Sequence, residues 1–178
     1  MDIILLVTGI VQIFLSIIIA ISLVYLASKI FRKLISGINE AEELKKNNVA
    51  VAILDGSIVL ALILVVKKSI ESAVTIFGNT LRNPESAFSS YIESAVIIIG
   101  HIILGGIIAF SAIYIALQIF IKLTKDLDEL KEIKESNTAV GILLGIIIVS
   151  IALLLQPGVD TILNSLIPFP PVSLIDIG

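Results

Sequence analysis

The sequence predicts an all-α membrane protein in which four transmembrane helices form two parallel-repeat helical hairpins, with short amphipathic segments on the outer side. Three observations lead to this fold class. Of the 178 residues, 57% are hydrophobic and 15% are charged, and the mean hydropathy is +1.12. Apolar stretches reach about 20 residues, the length that crosses the ~30 Å hydrocarbon core of a bilayer. The second half of the chain also repeats the first at a shift of 89 residues.

The four predicted spans cover residues 3–28, 48–66, 92–121 and 138–156. The first has no basic stretch before it and no small-residue cleavage site after it. We therefore expect it to be retained as a span, not removed as a signal peptide. The third is long enough, at about 1.5 Å per residue, to project beyond the bilayer as one helix. The expected setting is a lipid bilayer, with the chain as a multi-pass protein of the cell (inner or plasma) membrane.

The internal repeat sets the predicted domain organisation. NNVAVAILDG at 47–56 aligns without a gap with SNTAVGILLG at 136–145, and matching Ser, Tyr, Asn and Gly residues share this register. Because twice 89 is the full length, we predict a tandem duplication with one two-span unit in 1–89 and a second in 90–178. Two spans per unit make both units cross in the same direction. The repeat is therefore parallel, about an axis along the membrane normal.

Lysine and arginine residues predict the orientation, because cytoplasmic loops carry an excess of them. Only Lys67, Lys68 and Arg82 lie on the side of the termini. We therefore predict that both hairpin loops are cytoplasmic and both termini are outside. The nine remaining basic residues lie in the two hairpin loops: Lys29, Arg32, Lys33, Lys45, Lys46, Lys122, Lys125, Lys131 and Lys134.

The segments between and after the spans have their own patterns. The hairpin loops mix charges of both signs at helical spacing, which predicts solvated helical extensions of the spans; a docking surface for a cytoplasmic protein partner is the alternative. On the outer side, KSIESAVTIFGN and PGVDTILNSLIPF place apolar residues three to four apart. This spacing predicts short amphipathic helices lying at the membrane interface.

The repeated motif resembles that of a known family. It reads LKKNNVAVAILDG in the first unit and IKESNTAVGILLG in the second. This pattern, at the start of a span, resembles the signature of the domain of unknown function 350 (YjfL-like) family of small membrane proteins built from tandem two-span units. The resemblance covers essentially the whole chain and implies the architecture above. It implies no activity, and Asp55 is not part of the family pattern.

Asn48 and Asn137 each precede an apolar helix in equivalent positions of the two units. An asparagine at a helix N-cap accepts hydrogen bonds from otherwise unpaired backbone N–H groups. We interpret both as helix-capping residues. A polar ring at the mouth of a pore is the alternative.

Ala52 and Gly56 in the first unit, and Gly141 and Gly145 in the second, are pairs of small residues four apart. Each pair lies on one helix face, and such faces let helix backbones approach closely in lipid. We predict that both pairs are helix-packing sites, either within the chain or between subunits.

Asp55 is the polar residue of greatest interest, because its equivalent in the second unit is Leu144. It lies about two turns into a span, on the same face as Asn48, at a depth of about 10 Å. Intramembrane acids often mark proton or cation paths. Ser22 lies at a similar depth and Tyr25 lies nearer the cytoplasm, so their hydroxyls are candidate partners in an ion-linked site. The alternative is a structurally tolerated acid near the inner boundary.

Gln12 and His101 align under the repeat, so each first helix carries a polar intramembrane residue at one level. For His101, a hydrogen-bonded structural role is the simpler interpretation. The chain has no cysteine, one histidine and a net charge of −3. We therefore expect no metal site, no cofactor and no nucleic-acid partner. No catalytic motif is present, so we expect no enzyme activity.

Two functions remain open from the sequence. The first is an oligomeric helical assembly of identical subunits that conducts or senses ions, with Asp55 near the inner mouth. The second is a non-conducting, stress-related membrane scaffold that recruits partners through its cytoplasmic hairpins. A solute transporter is less favoured, because the spans are unbroken and the repeats are parallel.

Overall fold

The structure is a computed structural model that describes residues 2–34, 39–83, 87–123 and 128–166. Six helices follow one another in these ranges: α1 (Ile3–Leu34), α2 (Glu40–Lys45), α3 (Val49–Arg82), α4 (Phe88–Leu123), α5 (Glu129–Lys134) and α6 (Thr138–Leu166). The described part of the chain is therefore all-helical, with four long helices and two short ones.

The four predicted spans fall on the four long helices, which are candidate membrane spans. Each long helix carries a stretch long and apolar enough to cross a membrane: Ile3–Lys33, Val49–Lys67, Phe88–Lys122 and Thr138–Leu163. The third span is one continuous helix of 36 residues, α4, as its length predicted. These runs of Ile, Leu, Val and Ala form helices because lipid offers no hydrogen-bond partner to the backbone.

Helix α3 is the centre of the bundle and packs against all three other long helices, most extensively against α6. Helix α1 packs mainly on α3, less on α4, and exposes most of its apolar surface. The core is a continuous apolar cluster that includes Phe31, Ile58, Leu62 and Ile148. The short helices α2 and α5 lie at one end of the bundle, called here the hairpin end. The opposite end is called the terminal end.

The helix boundaries repeat with the spacing of the sequence. Helix α5 begins at Glu129, 89 residues after α2 begins at Glu40, and α6 begins at Thr138, 89 residues after Val49. Among the described non-glycine residues, the two with positive φ are Asn47 (60°) and Ser136 (63°), which are also 89 apart. Each ends a short helix with a left-handed turn that redirects the chain into the next span. The division into two parallel units remains a prediction.

The predicted amphipathic outer helices are not separate elements, which corrects the sequence expectation. KSIESAVTIFGN continues α3 to Arg82, and PGVDTIL continues α6, with Pro157 inside the helix. Ile76, Val159 and Leu163 are buried within the bundle. In the apolar stripe predicted for the second segment, Val159 is buried, whereas Ile162 and Leu166 are exposed. The predicted spacing therefore matches the buried face of α6 only in part. The last residues of the second segment lie outside the described residues.

Candidate functional site

Asn48 is the centre of a hydrogen-bond network at the hairpin end. It precedes α3, and its Oδ1 accepts from the backbone N–H of Val51 at 3.1 Å. Its Nδ2 donates to Glu43 Oε2 and to the backbone carbonyl of Ile133, each at 3.0 Å. The side chain is buried. One residue therefore caps α3, fixes the turn after α2 and links the first half of the chain to α5.

Asn137 makes the equivalent local contacts at the start of α6. Its Oδ1 accepts from the N–H groups of Ala139 (3.1 Å) and Val140 (3.4 Å), and its Nδ2 donates to Glu132 Oε2 at 2.6 Å. Among the described residues, Glu132 is the one acceptor that the Nδ2 of Asn137 reaches. The two asparagines thus share a capping geometry, while the bond across the bundle belongs to Asn48.

Sequence reasoning missed Glu43 and Glu132, the acids that hold the two asparagines. The signal was available, since each glutamate lies five residues before its asparagine, in ELKKNN and EIKESN. A short helix that ends in a left-handed residue turns the chain back, so these two side chains meet. The repeated motif is therefore a device that joins a short helix to a membrane span.

The pH dependence of stability follows from Glu43. Hydrogen bonds from Lys46 and Asn48 lower the pKa of the Glu43 carboxyl below its usual value of 4.5. A carboxyl with a lowered pKa in the folded state stabilises the fold above its unfolded pKa, and this contribution is lost as the pH falls through the folded value. We expect Glu43→Gln to lower the unfolding temperature at pH 7 and to match the wild type at acidic pH. Equal differences at pH 7 and well below pH 4.5 would contradict this expectation. Glu42→Gln is the control on the same helix.

Asp55 lies in α3 within the span that begins at Val49. The residue is half-buried, and its Oδ1 is fully buried with no hydrogen-bond partner in the described part of the chain. Glu40, at the start of α2, is close enough to act on it as a like charge. An unpaired buried carboxylate oxygen is energetically unfavourable, by about 1–3 kcal/mol or more. Packing within one chain therefore does not explain why an acid occupies this position.

The expected partners of Asp55 make other contacts. Ser22 donates its hydroxyl to the carbonyl of Ile18 in its own helix, at 2.9 Å. Tyr25 is 61% exposed, and the ammonium of Lys29 lies 4.7 Å from the centre of its ring. Neither hydroxyl is hydrogen-bonded to the buried Oδ1 of Asp55. An ion-linked site formed by these three residues stays a prediction.

Gly141 and Gly145 of α6 pack within the chain. A Cβ on Gly141 would lie 2.8 Å from the Cα of Ala50, and one on Gly145 would lie 2.5 Å from Ser57 Oγ. The backbone of α6 therefore meets the backbone of α3 at Gly141 and side chains of α3 at Gly145. The equivalent pair behaves differently. Ala52 and Gly56 are exposed, and a Cβ on Gly56 would meet nothing within 4 Å.

The two equivalent polar intramembrane residues, Gln12 and His101, also differ in burial. His101 is buried, with its Nδ1 3.1 Å from the carbonyl of Ile97. Gln12, at the equivalent position of α1, is exposed. Across the described residues, no group of three or more His, Cys, Asp or Glu side chains is placed to hold a metal ion.

The comparison with known proteins agrees with this architecture. No curated protein and no solved structure shows significant similarity to the chain. The family described as Domain of Unknown Function (DUF350) matches residues 5–159, which include the second and third candidate spans and most of the first and fourth. Because the match covers most of the sequence, the chain belongs to the DUF350 family.

Proposed function

We propose that this protein is an oligomeric assembly of identical helical subunits in the cell membrane that conducts or senses protons, with Asp55 as the proton-binding group. One observation carries the proposal: the buried Oδ1 of Asp55 has no hydrogen-bond partner among the described residues, although it lies on a membrane-crossing helix. Acidic side chains within spans face bundle interiors or water-filled paths and bind transported or sensed ions.

A proton fits this position better than a metal cation does. One carboxylate oxygen is sufficient to bind a proton, whereas Ca²⁺ or Mg²⁺ takes about six or more oxygen ligands. The described residues offer no group of three metal-binding side chains.

Assembly supplies what one chain lacks. The centre of the bundle is filled by apolar side chains, from Ile19 in α1 to Leu163 in α6. A proton path along the axis of one subunit would cross this core, so a path between subunits is favoured. With the hairpin end in the cytoplasm, as the basic residues predict, Asp55 would lie near the inner mouth.

Proton flux into liposomes tests the proposal. Purified protein is reconstituted with a pH-sensitive dye trapped inside, and the internal pH is followed after an external acid pulse. We expect flux above that of empty liposomes, and a reduction of at least about tenfold for Asp55→Asn, which keeps the shape but cannot carry a charge. Asp160→Asn, at the terminal end of α6, is the control. No flux from a correctly folded, assembled wild type would contradict conduction.

A scaffold remains the second candidate, since α2 has no buried residue and exposes Glu42, Leu44 and Lys45. Partner capture through the hairpins would require these side chains. Replacing Glu42 and Lys45 with glutamine would reduce capture but leave Glu43, which holds Asn48, in place. If the captured proteins are unchanged, the scaffold function loses its support.

A further inference from the structure

In the contact between the two halves of the chain, the second half packs on α3 of the first half, and the equivalent surface of α6 is not used. Helices α4, α5 and α6 all pack on α3. On α3, the backbone of Ala50 contacts Gly141, and the side chains of Ile53 and Ser57 contact Gly145. We call this surface the receiving face of α3; it comprises Ala50, Ile53 and Ser57.

The surface of α6 that is equivalent to the receiving face of α3 is exposed. The positions 89 residues further on are all exposed, with Ile142 at 47% and Ile146 at 61%. On α3 the equivalent Ala50 is fully buried, and Ile53 and Ser57 are partly buried. The receiving face of α6 comprises Ala139, Ile142 and Ile146.

The surface of the second half that contacts α3 also has an equivalent in the first half. Ile133, Gly141 and Gly145 in the second half press against the first half. We call this set the inserting face of the second half. The inserting face of the first half comprises the equivalent residues Leu44, Ala52 and Gly56.

The inserting face of the first half is bare. Leu44 is 40% exposed where Ile133 is fully buried, and Gly56 has open space where Gly145 meets Ser57. The first helices agree with this difference. Buried residues of α4 correspond to exposed residues of α1: Ser94 to Leu5, His101 to Gln12 and Ile113 to Val24.

We propose that a second copy of this chain occupies these faces, with its α1, α2 and α3 seated on α6 of the first copy as α4, α5 and α6 are seated on α3. The proposal rests on the proposed assembly of identical subunits and specifies its contact. The occupant is a second copy because both complementary surfaces are on one chain, and their intrachain counterparts already fit each other. Such a contact is head-to-tail.

The register of the intrachain contact favours a ring. Gly141 meets Ala50, whose repeat equivalent is Ala139, so the two helices are offset by two residues, or about 3 Å along the axis. A contact that is nearly level keeps successive copies in one membrane plane. Repeated rotation about the membrane normal then closes a ring.

A hydrogen bond is available to this contact. Asn48 Nδ2 donates both to Glu43 and across to the carbonyl of Ile133. Among the described residues, Asn137 Nδ2 donates to Glu132. In the proposed contact its second hydrogen points to the carbonyl of Leu44 in the next copy. The same device would join halves within a chain and between chains.

Cysteine cross-linking tests the contact directly, because the chain contains no cysteine. The intrachain neighbours Ala50 and Gly141 predict that Ala139 of one copy meets Ala52 of the next. We expect Ala52→Cys and Ala139→Cys chains, co-expressed in membranes and oxidised, to form a disulfide-linked dimer. A chain with both cysteines should form a ladder of larger species. Each cysteine alone should give no more than background cross-linking, since a head-to-tail contact keeps identical positions apart.

Gly56→Leu provides an independent measurement. A Cβ added at this position meets nothing within 4 Å in one chain, so the subunit should fold normally. In the proposed contact, the introduced leucine would overlap Ile142 and Ile146 of the neighbouring copy. We expect the subunit number, measured by native mass spectrometry, to fall to one. An oligomer without the 52–139 cross-link, or one that keeps its size in Gly56→Leu, would overturn this contact and leave the proposed function standing. A 52–139 cross-link without proton flux would support the contact and count against conduction; a monomeric wild type would overturn both the contact and the assembly.

Discussion

Replacing Gly141 with leucine is expected to lower the free energy of unfolding by about 3 kcal/mol, because an added side chain would overlap the backbone of Ala50. The Cβ alone would lie 2.8 Å from the Ala50 Cα, and a backbone atom cannot move aside as a flexible side chain can. Denaturant titration of the helical signal in detergent micelles measures the effect. Leucine favours a helix over glycine by up to about 1 kcal/mol, so the loss must exceed that gain.

Gly106→Leu is the matched control for this substitution. It makes the same change within α4, where an added Cβ would meet nothing within 4 Å. We expect its stability to equal or exceed that of the wild type. If Gly141→Leu and Gly106→Leu behave alike, the close contact of α3 with α6 is not the feature that holds the bundle together.

Replacing Asp55 with leucine is expected to stabilise the subunit while abolishing proton flux. The substitution reproduces the second half of the chain, where Leu144 is buried in the core. It removes a carboxylate oxygen that has no hydrogen-bond partner among the described residues, which corresponds to a gain of about 1–3 kcal/mol. The same titration measures stability, and the liposome assay measures flux.

The combination of effects separates function from structure. A residue retained for packing would lose stability on substitution, whereas a functional residue is held at a cost to stability. Asn48→Ala, at the N-cap of the same helix, is the contrast, since it removes hydrogen bonds to Glu43 and Ile133 and should destabilise. A destabilised Asp55→Leu would indicate that Asp55 has a structural partner.

The sequence predicted the features that depend on nearby residues. Span lengths follow from apolar runs, and the geometry of Asn48 follows from an asparagine placed just before such a run. The contact of Lys29 with Tyr25 was also within reach, because residues four apart share a helix face.

Features that depend on helix rotation were beyond the sequence. The bond from Asn48 to Ile133 joins residues 85 apart, and no local pattern signals it. Two small-residue pairs looked equivalent, yet Gly141 is packed and Gly56 is exposed. The amphipathic outer segments were misassigned for a related reason: one apolar stripe suits a membrane surface and a helix bundle equally well.

Proton flux through the assembled protein, compared between wild type, Asp55→Asn and Asp55→Glu in liposomes of equal protein content, tests the central claim most directly. Glutamate restores a proton-binding carboxyl at almost the same place, whereas asparagine does not. The account predicts flux in the wild type, a loss of at least about tenfold in Asp55→Asn, and partial recovery in Asp55→Glu. Equal flux in all three proteins, or no flux in an assembled wild type, would contradict it.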